Sequence, residues 1–153
     1  MDSLGAFVIT QNAAKTLPLV LAGLTWVDDL TVVDLGSTDE TRVIASGAHR
    51  TVMSWPGPPP PIVELVRKQL LERGSHEWFL FVDQDEVHVD TRTAIESHIS
   101  NGSTAPLAFR FRHFALGREV SVQRPGKMAS CDMACDAGWM RPFAPTAIIV
   151  VWR

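Results

Sequence analysis

Three carboxylates crowd into four positions at Asp83-Gln84-Asp85-Glu86, directly after the apolar, aromatic-rich run Trp78-Phe79-Leu80-Phe81-Val82. In an extended chain successive side chains alternate between faces, so Asp83 and Asp85 project to the same side. Two carboxylates held so close repel each other unless a cation or a proton relieves them. Ligands made only of oxygen suit a hard divalent ion such as Mg²⁺ or Mn²⁺, commonly shared with phosphate oxygens. The competing interpretation is an acidic turn whose side chains are merely solvated. What decides between them is the company the acidic run keeps in the fold.

Elements that could position it are legible along the first hundred residues. Leu4 to Thr10 is an apolar run of strand length that stops at the polar triplet Thr10-Gln11-Asn12. Leu17, Val20, Leu21 and Leu24 follow at the spacing of one buried helix face, with Pro18 near the start, where a missing N–H does least harm. A second strand-like run, Leu30 to Val33, ends at Asp34. Leu35-Gly36 turns the chain, and Ser37 with Glu40 three residues on suggests a capping box opening a helix that runs through Ala45. A short strand is expected around Arg50 to Met53. The proline run Pro58 to Pro61 then leads stiffly into a helix with Val63, Val66 and Leu70 on one face, ending near Gly74. The Trp78 strand comes next.

Strands alternating with helices imply a mostly parallel sheet with helices on both sides, a three-layer α/β/α arrangement. All strands then run the same way, so their carboxyl ends share one edge, where open α/β sheets bind ligands. Thr10 to Asn12, Asp34, and Asp83 to Asp85 all fall there. Three polar clusters converging on one place favour a ligand site over a solvated turn.

The order Phe7-Val8-Ile9-Thr10-Gln11-Asn12, Val33-Asp34-Leu35-Gly36-Ser37-Thr38-Asp39-Glu40-Thr41 and Asp83-Gln84-Asp85-Glu86 resembles the family 2 glycosyltransferases. Trp26-Val27-Asp28-Asp29 and Glu77-Trp78 are similar to the branch serving bacterial lipopolysaccharide-core and related envelope glycans. The resemblance covers roughly residues 5 to 90 and implies a GT-A, Rossmann-like fold. It implies inverting transfer of a sugar from a nucleotide-diphosphate donor, a UDP-sugar first among them, to a glycan or glycolipid hydroxyl, with Mn²⁺ or Mg²⁺. Carried over by position, it assigns the nucleotide sugar to Thr10, Gln11, Asn12, Asp34, Ser37, Asp39, Arg67 and Asp83. It assigns the metal to Asp85 chiefly, with Asp83 beside it. Each residue also has a plainer role: Ser37 as a helix cap, Asp39 as a carboxylate favoured in a helix's first turn, Asn12 as a turn former, Arg67 as a solvated helix residue beside Lys68.

The C-terminal third is less informative. Thr91 to Ile99 suggests a helix with Ala94, Ile95, His98 and Ile99 on one side. Leu107, Phe109 and Phe111 alternate with polar or small residues as a half-buried strand, Gly117 and Gly126 bracket a loop, and Ala147 to Trp152 is a short apolar run. Family members are a good deal longer, and the resemblance places their catalytic base, an aspartate or glutamate, in that extra portion. Here Asp136 is the first candidate base and Asp132 the second, against a surface role for both. The expected organisation is one domain over 1–153, with a nucleotide-sugar-binding part in 1–100 and a shortened acceptor side in 101–153. A truncated transferase or a donor-binding domain without turnover is the alternative. A methyltransferase using S-adenosylmethionine ranks lower: Val33-Asp34-Leu35-Gly36 resembles the start of its glycine-rich loop, but Ser37-Thr38-Asp39 replaces the further glycines.

Composition narrows the classes. Hydrophobic residues make up 46% of the 153, enough for a core, and the net charge of −3 argues against a nucleic-acid partner. With no signal-peptide pattern and no stretch of membrane-span length, the expected location is cytoplasmic, with peripheral contact at the inner membrane face compatible with a lipid-linked acceptor. Cys131 and Cys135 lack the second pair of a zinc site and are expected to be ordinary thiols. His88, just past the acidic run, is expected at the surface.

Overall fold

The computed structural model describes residues 4–47, 50–73, 75–88, 91–102, 107, 113–115 and 118–120. Strand β1 spans Leu4–Thr10 and is buried from Gly5 onward, on both alternating faces. A strand apolar at every position, rather than at every second one, needs cover above and below, as in a parallel sheet packed between helices. That cover comes from the alternation of β2 (Asp29–Asp34), β3 (Thr51–Ser54) and β4 (Trp78–Asp83) with helices α1 (Leu17–Ala22), α2 (Thr41–Ala45), α3 (Val63–Arg73) and α4 (Thr91–Ser100). The four strands form one sheet in the order β3-β2-β1-β4, every pairing parallel.

The two faces can be assigned from strand parity. Phe7 and Ile9 of β1, Val33 of β2, and Phe79 and Phe81 of β4 pack with Val66 and Leu70 of α3. Phe7 stacks on Phe79 with centroids 5.9 Å apart, within the range favoured by aromatic pairs. On the opposite parity Ala6, Val8, Val32, Leu80 and Val82 are fully buried, and Trp78 meets His98 of α4 edge-on at 5.8 Å. Helices therefore flank both faces. The expected strands and helices of residues 4–100 are all present. On α4 only Ile95 is fully buried, and Ala94, expected on the packed side, is exposed.

The chain divides into two units, residues 1–109 with 148–153 and residues 110–147. The described part of the second is an antiparallel hairpin of β5 (His113–Ala115) and β6 (Arg118–Val120). A strand thus occupies part of the loop expected between Gly117 and Gly126. The expected strand through Phe109 and Phe111, the apolar run at 147–152, Cys131, Cys135, Asp132 and Asp136 lie outside the described residues. Among the described residues no helix is long and apolar enough to cross a membrane.

His88 is buried, 4% exposed, contrary to its expected surface position. After the acidic run the chain returns across the end of α1, so closely that a Cβ on Gly23 would lie 2.5 Å from the carbonyl oxygen of His88. Gly23 has ordinary helical torsions, φ −73° and ψ −12°, so its requirement for glycine is purely one of space. Gly23→Ala is expected to destabilise the protein by about 2 kcal/mol, the usual range for forcing a methyl into packed backbone. Urea denaturation would measure it, and unchanged stability would mean that the 86–88 segment is not seated against α1.

Candidate functional site

Parallel register brings three strand ends to one edge: Thr10 lies beside Asp34, and Ile9 beside Asp83. Just past β1, Asn12 adopts a left-handed conformation, φ 52°, which asparagine tolerates better than most residues. This aims its backbone and side chain at the loop after β2. The Asn12 N–H donates to Ser37 Oγ at 2.9 Å, and Asn12 Oδ1 accepts from the Thr38 N–H at 2.8 Å. One residue on, the Ala13 N–H donates to Thr41 Oγ1 at 2.7 Å. The Ala14 N–H donates to Asp39 Oδ2 at 3.2 Å.

These long-range bonds overturn the capping box expected at Ser37 and Glu40. Helix α2 starts at Thr41, Glu40 makes no side-chain cap bond, and the Ser37 hydroxyl accepts from Asn12 instead. Gly36, at φ 94°, turns the chain away from helix before Ser37. Asp39 is the residue that satisfies the helix start: its Oδ1 accepts from the Thr41 N–H at 2.9 Å and from the Thr41 hydroxyl. That hydroxyl, first among the causes, holds the Asp39 carboxyl below its ordinary pKa.

Asp34 is 1% exposed. Its Oδ1 accepts from the Ser37 N–H at 3.0 Å, and its Oδ2 lies 3.7 Å from Arg42 Nε. In this conformation it folds the loop from beneath. Arg67 is not a solvated helix residue: it is 9% exposed, and Nη2 donates to Asp83 Oδ1 at 2.7 Å. Position 67 lies on the same stripe as 63, 66 and 70, so its charge is carried under the sheet edge, where a buried cation needs a partner.

The acidic run is braced residue by residue. Asp83 is held by Arg67. Gln84 Oε1 accepts from the Gln11 N–H at 2.7 Å, while Gln11 Nε2 donates to the Leu35 carbonyl at 3.4 Å. Glu86 Oε2 accepts from the Asp83 N–H at 3.1 Å, and the Glu86 N–H donates back to the Asp83 carbonyl at 3.1 Å. Asp85 is exposed and makes no hydrogen bond or ion pair among the described residues. Sequence reasoning missed Gln84, Thr41 and Glu86. Thr41 carried a faint signal, an acidic residue two positions before a hydroxyl at a helix start; Gln84 carried none.

Two clefts open at this edge and share Gln84 and Asp85. The smaller, about 270 Å³, has apolar walls from Ile9, Leu35 and Val63 and polar ones from Gln11 and Asp83. Thr10 Oγ1, at its rim, is buried without a partner among the described residues. The larger, about 1000 Å³, is lined by Asn12, Lys15, Thr38 and Asp39 among others. No group of three or more His, Cys, Asp or Glu among the described residues is arranged to hold a metal by itself. Asp83 Oδ1 is taken by Arg67 at 2.7 Å, whereas the Asp85 carboxylate is exposed and lines both clefts.

Comparison with known proteins places the fold. No protein-family profile matches the sequence. TarS from S. aureus, residues 1–349 in complex with UDP, superimposes with a TM-score of 0.63 at 22% identity, over 78% of this chain and 38% of that one. Glucosyl-3-phosphoglycerate synthase from Mycobacterium tuberculosis, in complex with UDP, gives 0.58 at 23% identity, over 74% and 46%. The same synthase with Mn²⁺, UDP and phosphoglyceric acid gives 0.55 at 23% identity, over 69% and 41%. The chain has their Rossmann-like GT-A fold, and it spans less than half the length of each.

Two buried groups beside the site titrate in opposite senses. Burial, the largest cause, pushes the Glu86 carboxyl up from 4.5 to about 7, with the Asp83 N–H and Arg67 opposing and Asp83 and Asp85 reinforcing. Burial alone pushes the His88 imidazole down from 6.5 to about 4. Between pH 4.5 and 7 the folded chain holds a proton on Glu86 that the unfolded chain releases, so this contribution grows as pH falls. Between pH 6.5 and 4 the unfolded chain takes a proton on His88 that the folded chain refuses, so that contribution is lost as pH falls. Each is worth up to roughly 3 kcal/mol. Urea titrations are expected to find that lowering pH from 7 to 5 stabilises His88→Leu relative to wild type and destabilises Glu86→Gln. Parallel curves for all three would mean that neither group is shifted.

Proposed function

We propose that this chain is the donor-binding part of a metal-dependent, inverting glycosyltransferase that uses a UDP-sugar. The observation that carries the reading is the uncommitted carboxylate of Asp85, which lines both clefts where they meet over the strand ends. The smaller cleft suits a pyrimidine: apolar walls for its faces, with Gln11, the Thr10 hydroxyl and Asp83 for its polar edge and ribose. The complexes of TarS and of the mycobacterial synthase with UDP support that choice of donor, and the Mn²⁺ bound to the synthase supports Mn²⁺ here. Asp85 would hold the cation together with diphosphate oxygens, and the cation would neutralise charge developing on the departing UDP. The acceptor, a glycan or glycolipid hydroxyl, would attack the anomeric carbon opposite the diphosphate as the carbon–oxygen bond to UDP breaks. Asp136, or failing it Asp132, would take the hydroxyl proton. Arg67 would hold Asp83 in place beside the ribose, and Asp34, Ser37, Asp39 and Asn12 would keep the two nucleotide loops in register. Such a reaction belongs on the cytoplasmic side, where nucleotide sugars are made, at the membrane surface if the acceptor is lipid-linked.

Calorimetric titration of UDP, GDP and dTDP, with and without Mn²⁺, tests the donor site. UDP is expected to bind in a Mn²⁺-dependent manner, and Asp85→Ala to weaken that binding tenfold or more while leaving the fold intact. Failure of every nucleotide to bind folded protein would overturn the reading. Binding without donor hydrolysis or transfer to any acceptor would leave a donor-binding domain lacking turnover.

A further inference from the structure

We propose that Glu86 is a positioning residue that holds the acidic turn so that the Asp85 carboxylate faces the shared cleft, an inference that rests on the donor-site reading above. Glu86 closes the turn from both ends of its own residue: its N–H reaches the Asp83 carbonyl, and its carboxyl oxygen reaches the Asp83 N–H, each at 3.1 Å. The segment between these two bonds is Gln84-Asp85. Gln84 is in turn tethered to the loop after β1, and Asp83 to α3. Both chain neighbours of Asp85 are therefore fixed, and within the acidic run its carboxylate is the one left to meet a ligand.

The burial of Glu86 makes the case stronger. A carboxyl group 7% exposed, beside two other carboxylates, is an expensive choice for a surface turn. An apolar side chain would fill the same space more cheaply but would leave the Asp83 N–H without its acceptor. Aspartate is one methylene short of the reach. Glutamine has both the length and an acceptor oxygen. What the turn uses is thus an acceptor at a given distance, which glutamine would supply as well, as expected of a group that preorganises a binding carboxylate.

The Mn²⁺ concentration that half-saturates UDP binding, measured well below the melting temperature, tests this. Glu86→Ala is expected to raise it about tenfold and Glu86→Gln to keep it within about twofold of wild type, with metal-free UDP affinity little changed in both. Glu86→Asp, which retains the charge but not the reach, is expected to behave like the alanine variant and serves in its place should that variant fail to fold. Wild-type half-saturation in Glu86→Ala or Glu86→Asp, even with a lowered melting temperature, would overturn the inference and leave Glu86 a purely structural group. Equal weakening by glutamine and alanine would also overturn it, in favour of a direct role for the charge. Absence of Mn²⁺-dependent UDP binding in the wild type would instead overturn the donor-site reading, and this inference with it.

Discussion

The position of β1 constrains everything else in the described fold. It is hydrogen-bonded along both edges, to β2 and to β4, and its side chains are buried on both faces. Such a strand has no freedom to slip, because a one-residue shift would exchange its Phe7 and Ile9 face with its Ala6 and Val8 face. Phe7 would leave its stack on Phe79, and the smaller Ala6 or Val8 would leave a void on the α3 side. Fixing that register fixes which residues stand at the strand ends, and hence that Thr10, Asp34 and Asp83 come together.

From that fixed edge outward, polar side chains take over from apolar packing. Asp34, Asp39, Ser37 and Thr41 each bond a backbone N–H, so the loops are shaped by side chains that substitute for missing ladder partners. Arg67, unlike the exposed Arg42 beside Asp34, is buried and reaches the site from below, through the hydrophobic layer. An ion pair so placed is weak evidence for stability, since both charges must be desolvated. Its clear structural consequence is that Asp83 is held at one oxygen in a defined direction.

Most of the fold of residues 4–100 was legible in the sequence because the apolar runs were long and their periods distinct. The ends of β1 and β4, and the packed residues of α1 and α3, follow from pattern alone. The place of Arg67 was legible too, since it shares the stripe of Val63, Val66 and Leu70, but charge suggested solvent and obscured it. What could not be read were choices decided by residues far along the chain. Ser37 has the local chemistry of a cap, and only the arrival of Asn12 diverts it. His88 has the polarity of a surface residue, and only the close passage at Gly23 draws it inside. The GT-A resemblance fixed the neighbourhood of Asp85 but gave no hint of how Gln84 and Glu86 hold it.

The two braces of the site differ in how far they reach along the chain. Asn12 and Ser37 are 25 residues apart, whereas Gln11 and Gln84 are 73 apart. Closing the longer loop costs about 1 kcal/mol more in chain entropy, and it requires β4 to have docked against β1. The loops after β1 and β2 can therefore lace together while the acidic run is still unplaced. During synthesis the first brace is available once Ser37, just past β2, has left the ribosome, and the second waits for roughly fifty more residues. The acidic edge is consequently completed late in the life of each molecule, and its completion reports closure of the sheet where helix content does not.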